Sequence, residues 1–341
     1  MTLSNLNDVT VVIDIQRPTP KTGLGRPLII GSSGAATGKD YKIYYELSAV
    51  LADFANTTEV YKAAYALFNQ GDNSPESIAI MLYPTGATLV DWLPTIFAKD
   101  WYYLVSTDRT AANIIAIADA VALDNTRQFF AASSSKTDLA NYLAKKWKRT
   151  TVFYHTNIAN YPDAALVGQA GSFEAGSATW KFQPLNGIVA LDMTRTELEA
   201  IHALGAITYV TKAGDDVTSE GKTVSGEYID IVQSQDWLIM NIELAVQKLF
   251  NRASAAGSKI PYDNRGIAQI EGEVRVVLKR ADENEMIAHD DDGLPLYSTT
   301  FKTRSQVDPA DREAREYKGG SFEFELAGAI HKTKITGLIR L

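Results

Sequence analysis

Cysteine is absent from the 341-residue chain. That excludes a disulfide scaffold, a thiolate zinc site, an iron–sulfur centre and a cysteine nucleophile together. No apolar run approaches the roughly 18 residues a membrane span needs. The opening MTLSNLNDVT has no basic segment followed by an apolar core, so no signal peptide is visible and the baseline expectation is a soluble protein. Basic charge is in the minority, with 33 Lys and Arg against 41 Asp and Glu, a net charge of −8. General nucleic-acid binding needs a basic surface to neutralise phosphates and is disfavoured, although a local basic patch stays open. Histidine is scarce as well. His155, His202, His289 and His331 are isolated, none with a second His at ligand spacing, so neither metal nor cofactor is expected.

What is present is ordinary globular composition, 45% hydrophobic and 22% charged, which rules out a disordered or collagen-like chain. The length suggests about two domains of roughly 150 residues each. Val9, Val11, Ile13 and Ile15 alternate with Thr10, Val12, Asp14 and Gln16, a period-2 strand. Arg17–Pro27 follows, with three prolines and two glycines in eleven residues, and reads as a linker. From Arg26 to about Leu204, strand and helix patterns alternate. Pro27–Ile30, Ile78–Tyr83, Trp101–Ser106, Gln128–Ala132 and Thr151–His155 are near-continuous apolar runs, the signature of strands buried on both faces of a parallel sheet. Between them Ile114, Ile115, Ala118 and Val121 share a helical face, as do Leu139, Tyr142, Leu143 and Trp147. Thr194 and Glu197 form a capping box that opens a helix through Leu198, Ile201 and Leu204, ended by Gly205.

Beyond this the pattern changes. Ile207–Thr211 and Glu227–Val232 flank the Gly-rich Ala213–Gly226 and predict a long hairpin. Leu238, Ile239, Ile242, Val246, Leu249 and Phe250 predict one helix, and Ile267, Ile270, Val274, Val277 and Leu278 a second. Ser321–Leu326 alternates Phe322, Phe324 and Leu326 with Glu323 and Glu325, and Ala329–Leu341 reads as a further strand. A lone amphipathic strand at one end and strands at the other are edges that need a partner. Either they fold back on this chain's own sheet, or they pair with neighbouring copies by β-augmentation.

Candidate chemistry is thin. Gly31–Asp40 (GSSGAATGKD) follows a strand and is Gly-rich like a phosphate cradle. A P-loop needs four residues before its Gly-Lys pair and then a hydroxyl for magnesium. Here three residues separate Gly34 from Gly38-Lys39, and Asp40 stands in the hydroxyl's place, so a flexible loop is the better reading. No G-x-S-x-G supports a serine hydrolase. Asp282, Glu283, Glu285, Asp290, Asp291 and Asp292 lack the EF-hand spacing, and Asp290–Gly293 reads as a solvated turn. Lys145, Lys146, Lys148 and Arg149 end a predicted helix, where cations complement the dipole.

Several segments resemble contractile tail sheath proteins. They are Thr179–Asp192 (TWKFQPLNGIVALD), Gly205–Thr211 (GAITYVT), and above all Ser219–Val232 (SEGKTVSGEYIDIV) with Asp236-Trp-Leu238. Lys259–Tyr262 (KIPY), Gly266-Ile267, Glu271, Ser305–Arg312 (SQVDPADR) with Arg315, and Leu326–His331 (LAGAIH) follow in the same order. The resemblance is good over 175–341 and generic before it, where Phe54, Tyr61–Ala64 and Phe68 fit the family's early helix. It implies a tail-sheath-like fold of class α/β plus α+β. A strand arm and linker at 1–21 would precede an outer α/β domain at 22–205, an inner α+β domain at 206–318 and a C-terminal strand arm at 319–341.

The resemblance also implies a job: a non-enzymatic subunit of a phage or phage-tail-like particle that polymerises around an inner tube and contracts. Its partners would be copies of itself in rings of six or a six-start helix, a tail tube protein, and baseplate and terminator proteins. Nucleic acid and membrane insertion are not expected, and assembly would occur in the host bacterial cytoplasm. The exchanged strands would use Val9, Val11, Ile13, Ile15, Phe322, Phe324, Ile335, Leu338 and Ile339, with Lys248 and Arg252 as tube-facing candidates. The alternative is an α/β enzyme using the loop at 31–40 for a nucleotide or phosphate. Charge is distributed in keeping with the first reading. Residues 1–21 carry two acids and two bases, and residues 319–341 carry two acids and three bases, so the arms sum to +1 and the body to −9.

Overall fold

The five apolar runs pair with one another. In the computed structural model, which describes residues 24–333, they form β1 (Pro27–Ser32), β3 (Ile78–Tyr83), β4 (Tyr103–Ser106), β5 (Gln128–Ser133) and β6 (Thr150–Tyr154). With β2 (Lys39–Tyr44) and β7 (Ala206–Ile207) they make a seven-stranded sheet of order β2-β3-β1-β4-β5-β6-β7. Every pairing is parallel except β2 on β3. All residues of β3, β4, β5 and β6 are buried, which is why their sequences show no alternation. The two edges are blunted differently. β2 exposes Lys39, Asp40 and Lys42, and β7 is only two residues long.

Helices cover both faces of this sheet. In chain order they are α1 (Leu47–Asp53), α2 (Glu59–Phe68), α3 (Leu89–Trp92), α4 (Ala111–Asp124), α5 (Lys136–Lys145), α6 (Pro162–Ala170) and α7 (Arg195–Ala203). On one face Ile114, Ile117, Ala118 and Val121 of α4 and Leu139 and Tyr142 of α5 pack with Leu28, Ile30, Leu104, Phe129 and Val152. The residues alternating with these along the strands serve the other face, where α2 packs on α6 and α6 is buried along its whole length. There Trp180 lies 5.0 Å from the Phe130 ring and 5.9 Å from Tyr103, an aromatic knot under the sheet. The capping box opens α7 as expected. Thr194 Oγ1 accepts from Glu197 N, and Glu197 accepts from Thr194 N at 2.8 Å. Gly205 follows the helix at φ +71°, a conformation that favours glycine.

The expected long hairpin is not formed. β8 (Tyr209–Lys212) turns directly into β9 (Asp215–Thr218) through Ala213 and Gly214, whose φ values of +54° and +95° suit a two-residue hairpin loop. Glu227–Val232 is not its return strand. From Ile229 it is the first turn of α8 (Ile229–Ala255), a helix of 27 residues. Over six residues the apolar positions Tyr228, Ile229, Ile231 and Val232 fit either period, and the longer pattern running on through Leu238 and Ile242 decides for helix.

The chain divides into two compact units between Asp236 and Trp237, later than the 205/206 boundary read from the sequence. β7 is the reason that the first unit does not end at 205, because residues 206 and 207 still pair with β6. The second unit contains the remainder of α8, α9 (Asn264–Glu283), β10 (Tyr297–Phe301), α10 (Pro309–Glu313) and β11 (Gly320–Phe324). α9 buries Ile267, Val274, Val277 and Leu278, while Ile270 is half-buried. It lies along α8, with Arg252 bonded to Glu273 at 2.5 Å and Arg280 set 5.2 Å from the Trp237 ring.

Candidate functional site

The loop at Gly31–Asp40 joins β1 to β2, so the element after Gly38 is a strand. A phosphate cradle depends on backbone N–H groups at a helix N-terminus, and none follows here. Lys39 and Lys42 are instead part of the ladder with β3, and Ser33 Oγ donates within the loop to the carbonyls of Ala35 and Thr37. The geometry therefore does not support the nucleotide-site alternative.

The basic run at 145–149 separates into three jobs. Lys145 ends α5 and bonds Asp119 at 2.8 Å, with Lys146 left-handed just after it, so the run does close a helix. Lys148 reaches Glu227 at 3.0 Å. Arg149 is different, being buried and bidentate to Asp236, with Nη1 and Nη2 at 2.7 and 2.8 Å from the two carboxylate oxygens. Tyr102 donates to the same carboxylate at 2.6 Å, and Gln128 donates to the Tyr102 oxygen at 3.1 Å. Burial, then the Asp236 charge, pushes the Tyr102 phenol well above its ordinary range, so it stays a donor. Burial opposes the Arg149 charge, and the two bonds to Asp236 more than offset it. One turn earlier on α8, Gln233 accepts from Trp180 Nε1 at 2.8 Å and donates to Tyr103 at 2.7 Å. Gln233 and Asp236 thus fasten the first turns of α8, which belong to the first unit, to the sheet on which the aromatic knot rests. The sequence signal was Asp236 within a motif; its partner Arg149 lay hidden in a run of lysines.

In the second unit β10 and β11 form an antiparallel sheet of two strands, with Tyr297 opposite Phe324 and Thr299 opposite Phe322. Phe322 and Phe324 are half-buried and lie 6.3 Å apart, nearly parallel. Thr299 Oγ1 donates to Glu271 of α9 at 2.8 Å, which ties the sheet to that helix. Among the described residues no third strand pairs with either outer edge. β10 (YSTTF) carries no charged residue, unlike β2. Past β11, Ala329–Thr333 has no strand structure, and Ile330 is 86% exposed. Of the residues expected to exchange, Val9, Val11, Ile13, Ile15, Ile335, Leu338 and Ile339 lie outside the described residues. Phe322 and Phe324 sit in a strand that already pairs within its own chain.

The remaining candidates resolve into local structure. Lys248 is exposed on α8, one turn before the Arg252 that pairs with Glu273. Asp290 closes the acidic turn, its Oδ1 accepting from Asp292 N at 3.0 Å and Leu294 N at 2.8 Å. His155 Nε2 donates to the Val189 carbonyl, His202 bonds the buried Ser219 hydroxyl, and His289 lies 3.0 Å from Asp282. Among the described residues no group of three or more His, Asp or Glu is placed to hold a metal ion, and no helix is long and apolar enough to cross a membrane.

No family model matches the chain, and no curated protein matches it significantly in sequence. Solved structures do match in shape. A chain in the contracted-state baseplate of the anti-feeding prophage superposes with a TM-score of 0.67 at 12% identity, covering 100% of this chain and 99% of that one. The sheath tail protein of Listeria innocua gives 0.58 at 9% identity over 83% of this chain and 90% of its own. The sheath tail protein of Desulfitobacterium hafniense gives 0.56 at 9% identity over 93% and 99%. At such identities the likeness is one of fold alone, over 83–100% of this chain: its fold is tail-sheath-like.

Proposed function

We propose that the protein is a structural subunit of a contractile tail sheath. It polymerises around an inner tail tube by exchanging β-strands between subunits, and rigid-body rearrangement of the polymer drives the tube through a bacterial envelope. The observation that carries this reading is the likeness of fold to two sheath tail proteins, over 83% and 93% of this chain. The open β10–β11 sheet supports it, since two strands alone are marginal in water and gain from a third supplied by a neighbour. Main-chain ladders tolerate rotation of the bodies on either side. Contraction needs two packings of different free energy rather than a catalytic group.

In this reading residues 1–21 and 319–341 are the arms, and Val9–Ile15 and Ile335–Ile339 are donated to adjacent copies. The tube protein, baseplate and terminator are the further partners, and the particle assembles in the bacterial cytoplasm. Lys248 and Arg252 face the tube. The test is a chain lacking residues 1–16, examined by negative-stain electron microscopy beside the full chain. The full chain is expected to form rings or tubes and the truncated one to remain a folded monomer. Tubes of ordinary appearance from the truncated chain overturn strand donation by the N-terminal arm.

A further inference from the structure

A second surface lies in the first unit, away from β10 and β11 in sequence. Tyr61 and Tyr65, one turn apart on α2, line a cleft of about 580 Å³ together with Lys62, Asn56, Asn160 and Asn186. Small-molecule sites commonly measure about 300–1,000 Å³. Among the described residues, the side chains of Asn56, Tyr61, Tyr65, Asn160 and Asn186 make no hydrogen bond within the chain, and all but the half-buried Tyr61 are exposed, so a ligand in the cleft would exchange their bonds to water for bonds to itself.

The walls are held in place from behind. Buried Gln70 accepts from Asn186 N at 3.0 Å and donates to Asn186 O at 3.2 Å, while its amide also bonds Ala66 O at 2.8 Å. Thr58 caps α2 through Tyr61 N. Beside Asn160, Tyr161 is buried and donates to Glu59 at 2.9 Å. These bonds fix the backbone on which the lining side chains stand, so the cleft does not have to form when a ligand arrives.

The chemistry of the lining narrows the ligand. An anion needs a cation, and Lys62, the cation in the lining, is paired with Glu59 at 2.6 Å. A metal ion needs carboxylates, and none lines the cleft. A lipid or apolar peptide needs aliphatic walls, and apart from the tyrosines only Ala66 and Ala159 supply them. Carboxamides that both donate and accept, beside exposed aromatic faces, suit a neutral ligand rich in hydroxyls. We propose that this cleft binds a neutral saccharide, with the Tyr61 and Tyr65 rings against sugar faces and the three asparagine amides on its hydroxyls.

The experiment is a saturation-transfer NMR screen of the full chain against neutral oligosaccharides built on glucose, galactose, mannose and N-acetylglucosamine, each at millimolar concentration. Binding at millimolar affinity or tighter is expected, with Tyr65→Ala and Asn160→Ala each weakening it about tenfold. Both positions are exposed, and circular dichroism checks that the fold is kept. No saccharide binding in the NMR screen, or a binder that both variants leave unaffected, overturns the proposal. So does a loss of polymerisation in these variants without saccharide binding, which assigns the cleft to contact between copies. The sheath reading itself is untouched by any of these outcomes.

Discussion

Arg149 illustrates how far a residue's role depends on where the chain brings it. In sequence it is the last member of a basic run; in the fold it is the member of that run which faces inward, neutralised by Asp236. Removing one partner of a buried ion pair leaves the other charged in low dielectric and costs roughly 3–5 kcal/mol. Asp236→Ala is therefore expected to lower stability by about that amount, read from the urea midpoint at constant m-value. Arg149→Met combined with Asp236→Leu should recover only part of the loss, because the apolar pair itself needs no partner but the buried Tyr102 hydroxyl still loses its acceptor. A loss well under 1 kcal/mol for the single change would mean the pair is exposed to water in solution. Nothing in residue spacing announces such a pairing, since the partners are 87 residues apart. Local signals fared better: Thr194 and Glu197 stand three residues apart, so their capping box could be read directly from the sequence.

At the scale of elements, legibility followed the environment of each segment. β3, β4, β5 and β6 were visible because burial on both faces leaves no polar position to break the run. β2 was not, because an edge strand with exposed Lys39, Asp40 and Lys42 reads as loop. The start of α8 reads as a strand because six residues cannot separate a period of 2 from one of 3.6. α9 was plain from its apolar stripe, and its first turn carries a constraint of its own. A Cβ on Gly266 would lie 1.9 Å from the carbonyl oxygen of Pro261, a backbone atom with little room to retreat. Gly266→Ala is thus expected to displace the Asp263 cap from the N–H groups of residues 265 and 266 and to cost about 1–3 kcal/mol, measured by chemical denaturation. Wild-type stability in that variant would show that the 261–266 turn is free to shift. The candidate assembly strands were only partly legible, because a strand that pairs with another molecule and one that pairs at home share the same alternation.

For the molecule as a whole, charge sets the terms on which copies meet. The chain carries −8 in total, so bodies brought together repel at low ionic strength. Screening shortens from about 10 Å at 0.1 M salt to about 3 Å at 1 M. Under the sheath reading, the pelletable fraction at fixed protein concentration should rise as sodium chloride is raised from low values to roughly 0.5 M. A fall would mean that contacts between opposite charges dominate the interfaces. Sheet edges add a second control. The large sheet ends in a charge-studded strand on one side and a two-residue strand on the other, whereas β10 is five residues long and uncharged. In the language of polymer chemistry, that contrast limits functionality. A monomer with many reactive edges gels into a network, whereas one with few grows in defined directions. Under the sheath reading, the lysines of β2 then act as a protecting group, keeping the seven-stranded sheet out of the polymerisation reaction.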